Sequence, residues 1–201
     1  MDIERRAFAI EGLRIERRAD GAAPMLAGHA AVFNQLSENL GGFREQIAPG
    51  AFADAIASDD VRALFNHDPN FVLGRNVSKT LRMAEDARGL AIEIDLPDSA
   101  TVRDMVVIPI ERGDITGMSF AFRVRPNGEQ WAEDEDGNTV RTLTSLKLFD
   151  VSPVVFPAYP QTDVAVRSLT AWRGDHLART MTLWTGQRAL LLARTHQAMT
   201  E

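Results

Sequence analysis

"GDITGMSFAFRVRP", residues 113–126, reads as one β-strand carrying a hydroxyl at its middle, and the fold turns on that reading. Taken two by two, Met118, Phe120, Phe122 and Val124 fall on one face, and Gly117, Ser119, Ala121 and Arg123 on the other. The first face is a core stripe. The second is small around Ser119 and turns cationic at Arg123, which leaves room beside the hydroxyl. On this stretch alone the bland alternative stands: a strand-face serine bonded to a neighbour or to water.

The chain has 201 residues, 45% hydrophobic and 25% charged, which fits one globular domain with an appendage. Its formal net charge of −6 gives no electrostatic reason to expect nucleic acid or an anionic membrane as partner. Without cysteine there is no disulfide, thiolate metal site or cysteine nucleophile, and a reducing cytoplasm is the natural setting. The opening "MDIERRAFAI" has no apolar core of a secretory signal, and no run reaches the roughly 18 apolar residues of a membrane span. A cytosolic protein, or one assembled into a particle there, is expected.

The first third reads as strands, with apolar runs on either side of an Asp20-Gly21 turn. Residues 36–50, with paired glycines and Pro49-Gly50, read as a loop, and "AFADAIASDD" as a short helix. In "VRALFNHDPNFVLGRN" the alternation predicts a strand that runs through His67 and breaks at Asp68-Pro69. A hairpin is expected around residues 85–89. A helix capped by Ser99 follows, with Pro109 disturbing its end. After the serine strand, "NGEQWAEDEDGNTV" is a solvated hairpin tip without the oxygen spacing of a calcium loop, and "RTLTSLKLFDVSPVVFPAYP" returns as one or two strands. Beyond about residue 165 the composition shifts, and Leu177, Met181, Trp184 and Leu191 share one helical face. The expected organisation is a mixed, β-rich domain over residues 1–167 and a helical tail over residues 168–201.

A serine nucleophile needs a base active near neutral pH, and the base needs a polar group to fix its tautomer. Four histidines are available: His29, His67, His176 and His196. The last two fall in the tail, and His29 sits inside an apolar strand as a structural residue. His67 ends a strand at a turn, where a side chain can reach a cleft; a satisfied structural histidine is the alternative. Asp150, flanked by Phe149 and Val151, is an acid in a buried strand and must find a partner. An imidazole would serve, as would an arginine or backbone amides. Other chemistries lack their patterns: no H-E-x-x-H, no glycine-rich phosphate loop, and in "GMSFA" no second glycine of a nucleophile elbow. Neither metal nor cofactor is expected.

The ordered blocks "GHAAVFN", "GGFREQIAPGAF", "VRALFNHDPNFVLGR", "GLAIEIDLP", "RGDITGMSFAFRV" and "LFDVSPVVFPAYPQT" resemble the prohead proteases of tailed bacteriophages, over roughly residues 27–167. The resemblance implies a nucleophile at Ser119, a histidine base at His67 and an acid at Asp150, a position where many relatives carry glutamate. It implies the β-barrel ringed by helices of the herpesvirus assembly proteases. The implied activity is serine endopeptidase cleavage of scaffold, or of the scaffolding segment of the major capsid protein, inside the prohead in the host cytoplasm, with self-cleavage and self-association. Arg123 is a weak candidate for the oxyanion donor; backbone amides serve equally. Two other classes are compatible with the residues: a catalytically silent capsid-assembly or scaffold-binding module of the same fold, and a metal-dependent hydrolase built on His67.

Overall fold

The computed structural model describes residues 3–9, 12–17, 23–157, 165 and 167–177. The serine strand, β9 (Gly117–Val124), has the apolar stripe expected of it: Met118, Phe120 and Phe122 are buried, and Val124 packs on the same core. Phe120 meets Phe52 edge-on at 5.5 Å and Phe122 at 5.0 Å. The opposite face is closed rather than open. Ser119 and Ala121 are 3% and 1% exposed, because further chain lies over this face; a Cβ on neighbouring Gly117 would come within 2.9 Å of Pro157.

β9 lies second in a five-stranded sheet, ordered β1 (Glu4–Ala9), β9, β12 (Leu146–Val154), β5 (Arg62–Phe65) and β6 (Asp68–Arg75). A four-stranded sheet runs β2 (Arg14–Glu16), β3 (Met25–Val32), β8 (Gly89–Asp95), β7 (Leu81–Glu85). A three-stranded one runs β10 (Glu129–Glu133), β11 (Thr139–Leu143), β4 (Arg44–Ile47). The described strands therefore pair as three open sheets, not as one continuously hydrogen-bonded barrel. All three contribute to one core, through residues such as Phe120, Ile92 and Leu143. The hairpin expected at residues 85–89 is present. The stretch expected as a solvated hairpin tip, residues 127–140, is in part strand: β10 and β11 pair across it, and the turn is confined to residues 134–138.

Three local expectations are corrected. Residues 36–50 are not all loop: β4 pairs in parallel with β11, and the alternation was invisible because one of its inward positions is Glu45. β5 ends at Phe65, so the break comes at Asn66-His67, and Asp68-Pro69 begins the next strand. Proline is tolerated there because β6 is an edge strand. Ser99 does cap a helix, accepting from the Val102 amide at 3.2 Å, but the helix is interrupted. A π-turn at Arg103–Val107 separates α2 (Ala100–Val102) from α3 (Ile108–Arg112). Pro109 has no N–H to give the residue four back, and the wider turn precedes it. The remaining short helix, α1 (Ala53–Ser58), forms as expected.

The chain divides into two compact units, Met1–Thr162 and Asp163–Glu201. In the second, residues 167–177 are helical, and Trp172 stacks on His176 at 5.2 Å. Leu177 is exposed; Met181, Trp184, Leu191 and His196 lie outside the described residues.

Candidate active site

The site is assembled by a parity change in β12. Leu146 and Leu148 are buried and face the core, and so does Val151, although it lies an odd three positions beyond Leu148. A regular strand cannot satisfy both. The register against β9 slips accordingly: Leu148 stands opposite Phe122 and Asp150 opposite Ala121, which leaves Phe149 as a one-residue bulge. With the bulge in place, Asp150 and Ser152 share the face of their partners Ala121 and Ser119. The Leu148 amide ahead of the bulge is taken by Asp59, 2.9 Å away, and Arg125 holds Asp59 with two bonds of 2.8 and 2.9 Å.

His67 arrives from the other direction. Phe65 pairs with Asp68, so Asn66 and His67 are the two central residues of a tight hairpin, with φ of 51° and 59°. Two successive left-handed residues match a type I′ turn, in which asparagine is at home and histidine is strained. The turn is tied to the end of β12. Asn66 donates its amide to the Pro153 carbonyl at 3.0 Å, and its side-chain oxygen accepts from the Val155 amide at 3.0 Å.

These two devices bring three of the expected residues together. His67 Nε2 lies 2.6 Å from Ser119 Oγ, and His67 Nδ1 lies 2.6 Å from Asp150 Oδ1. A carboxylate only accepts, so Nδ1 carries the ring proton and Nε2 faces the Ser119 hydroxyl with its lone pair. Asp150 is 8% exposed, and the pair is shielded from water. A fourth group was not anticipated: Ser152 Oγ donates to the same Asp150 oxygen at 2.8 Å. The visible signal for it was the change of parity from Leu148 to Val151.

Arg123 stands apart from this cluster. It lies four residues along β9, about 13 Å of strand, and its guanidinium covers the Phe149 ring at 5.4 Å. His29 pairs instead with Asp86 at 2.8 Å, at the turn between β7 and β8. That hydrogen bond, with the amides of Gly89 and Arg88, holds the Asp86 carboxyl down to about 2.

The chain is similar to known proteins. The family model of the caudovirus prohead serine proteases matches residues 12–175. The prohead protease of Enterobacteria phage HK97 is 25% identical over 206 residues, which cover 96% of this chain and 85% of the relative. Among solved structures, the bacteriophage T4 capsid assembly protease aligns with a TM-score of 0.45 at 11% identity, over 76% of this chain and 97% of that one. The chain belongs to the caudovirus prohead serine protease family and is a serine protease of phage capsid maturation.

Proposed function

We propose that Ser119 is the nucleophile, His67 the general base and Asp150 the group that orients and charges-balances His67, in an endopeptidase that cleaves scaffold or the scaffolding segment of the major capsid protein inside the prohead. The observation that carries this is the unbroken chain Ser119–His67–Asp150, with both links at 2.6 Å. As Ser119 Oγ attacks the scissile carbonyl carbon, its proton passes to His67 Nε2. The imidazolium forms against the Asp150 carboxylate, then gives that proton to the leaving amine. Water, deprotonated by the same nitrogen, hydrolyses the acyl-enzyme and returns Ser119 to its starting form.

The oxyanion donor lies off β9, on this reading. Ser119 is paired on one side with Ala7 and on the other with Ser152, so the ladder engages the amides of this strand. Arg123 is better placed for the substrate than for the oxyanion. It lines a groove of about 410 Å³ with Arg125, Asn127, Glu129 and Lys147. A peptide added to the outer edge of β1 would run two strand spacings, about 10 Å, from β9. Extending that edge would not by itself bring a peptide to Ser119.

The three sheets around one core correspond, in this proposal, to the barrel of the herpesvirus assembly proteases. In this proposal the segment 168–201 addresses the enzyme, through self-association or scaffold, to the closing shell. The test of the catalytic reading is co-expression with the capsid gene and mass measurement of the capsid protein. Ser119→Ala and His67→Ala each lose processing by about 10⁴-fold or more with an unchanged melting curve. Asp150→Asn is slowed at the same melting temperature. Normal processing by Ser119→Ala would refute the assignment.

A further inference from the structure

The fourth polar group in the cluster has no part in the proton relay, yet it is the most buried of the four. Ser152 is fully enclosed, at 0% exposure, and stands directly opposite Ser119 in the β9–β12 pair. Its hydroxyl has one proton. His67 Nδ1, 3.4 Å away, already bears a hydrogen and cannot receive it. The proton goes to Asp150 Oδ1 at 2.8 Å, the oxygen that also accepts from His67.

A carboxylate in this setting needs that second donor. Water has little access to it, and a largely buried anion with a single partner is costly. The other charged group opposite Asp150 in the sheet is Arg62 of β5, and its guanidinium is drawn to Asp60 at 3.2 Å. Among the described residues no arginine or lysine is hydrogen-bonded to Asp150, and compensation comes from His67 and Ser152.

The geometry points to Ser152 as a positioning residue of the catalytic group: its hydrogen bond fixes the rotation of the Asp150 carboxylate, so that His67 keeps the tautomer that activates Ser119. This rests on the catalytic reading above and extends it. Ser152 touches neither the substrate nor the reacting atoms. It acts on the rate through Asp150, and its donor hydrogen bond favours the state in which the His67–Asp150 pair carries one net negative charge over the protonated pair. Removing the donor takes away a hydrogen bond that favours the charged carboxylate, and the acidic limb of the rate profile is expected at higher pH.

The experiment is phosphonylation of the full chain by a fluorophosphonate, followed across pH, with mass mapping of the labelled residue and a melting curve for each variant. Ser152→Ala is expected to label Ser119 about 10- to 100-fold more slowly, as for a lost hydrogen bond to a charged group, with the acidic limb shifted upward and reagent affinity unchanged. Ser152→Thr keeps the hydroxyl and is expected to restore rate and limb. Ser152→Cys keeps the volume with a weak donor, falls between them, and replaces the alanine variant if that one does not fold. An unmoved limb in folded Ser152→Ala or Ser152→Cys overturns the positioning role, whatever the change in melting temperature. Wild-type label on a residue other than Ser119 overturns the catalytic reading and this inference with it; label on Ser119 with an unmoved limb overturns this inference alone.

Discussion

Replacing Arg6 by methionine should expose how the five-stranded sheet is fastened to the three-stranded one. Glu4 and Arg6 of β1 stand opposite Phe122 and Phe120, on the core side of β9. There Arg6 donates to Glu45 of β4 at 2.7 and 3.0 Å, to Glu4 at 2.8 Å and to the Arg5 carbonyl at 2.8 Å. Arg141 of β11 completes the network, reaching Glu4 and Glu45 at 2.8 Å each and Glu129 of β10 at 2.6 Å. Arg6, Arg141, Glu4 and Glu45 are all buried. Burial pulls the Glu4 carboxyl upward, but the hydrogen bonds and charges of Arg141 and Arg6 outweigh it, and the net shift is downward.

Arg6→Met would leave three carboxylates around the single guanidinium of Arg141. Removing one partner from a buried ionic group costs about 3–5 kcal/mol. In a domain of this size each kcal/mol lowers Tm by roughly 2–4 °C, so a fall of about 6–20 °C is expected at pH 7. The pH dependence follows with a definite sign. In the native protein Glu4, with its lowered pKa, stabilises above its ordinary value of 4.5, and that contribution is lost as pH falls through the lower folded value. In the variant a crowded carboxylate takes up a proton on folding, which favours the folded state at low pH. The gap between native and variant should therefore narrow below about pH 4.5. Calorimetry at pH 7 and pH 4 measures both, and Arg6→Met combined with Glu45→Leu should recover part of the loss. A Tm change under about 2 °C at pH 7, or a gap that widens in acid, would refute the argument.

Asn66→Ala should slow peptide cleavage about 10-fold with KM unchanged. It removes the side chain that accepts from the Val155 amide and a residue suited to φ of 51°; a rate equal to native would show that the turn holds His67 without this tie. Deleting residues 170–201 should leave a folded protease that labels normally with fluorophosphonate but is poorly incorporated into proheads. Loss of solubility on deletion would make the tail part of the fold rather than an address.

What the sequence discloses depends on which interactions write a local pattern. The period-two stripe of β9 was legible because its inward residues are large and apolar, and Ser119 could be placed on the other face by counting. His67 and Asp150 drew notice from their settings, and the family blocks joined them to Ser119. β4 escaped because a buried glutamate, answered by Arg6 and Arg141 from distant strands, carries no hydrophobic signal. The turn at His67 was expected at Asp68-Pro69 rather than at Asn66-His67, because Asn-His lacks the glycine that usually marks a type I′ hairpin and the strain is offset by ties to β12 that only the folded chain provides. The bulge is the instructive case. In "LKLFDVSPV", Leu146 and Leu148 demand one parity and Val151 the other, so the contradiction was present in the residues themselves. Its resolution could fall at any of the residues between Leu148 and Val151, and each choice puts different side chains beside Ser119. Placing the extra residue at Phe149 sends Asp150 to the face of the nucleophile; placing it one step later would have left Asp150 facing the core among Phe120 and Val151. Asp59 takes the Leu148 amide immediately ahead of the extra residue, where the ladder to β9 is interrupted.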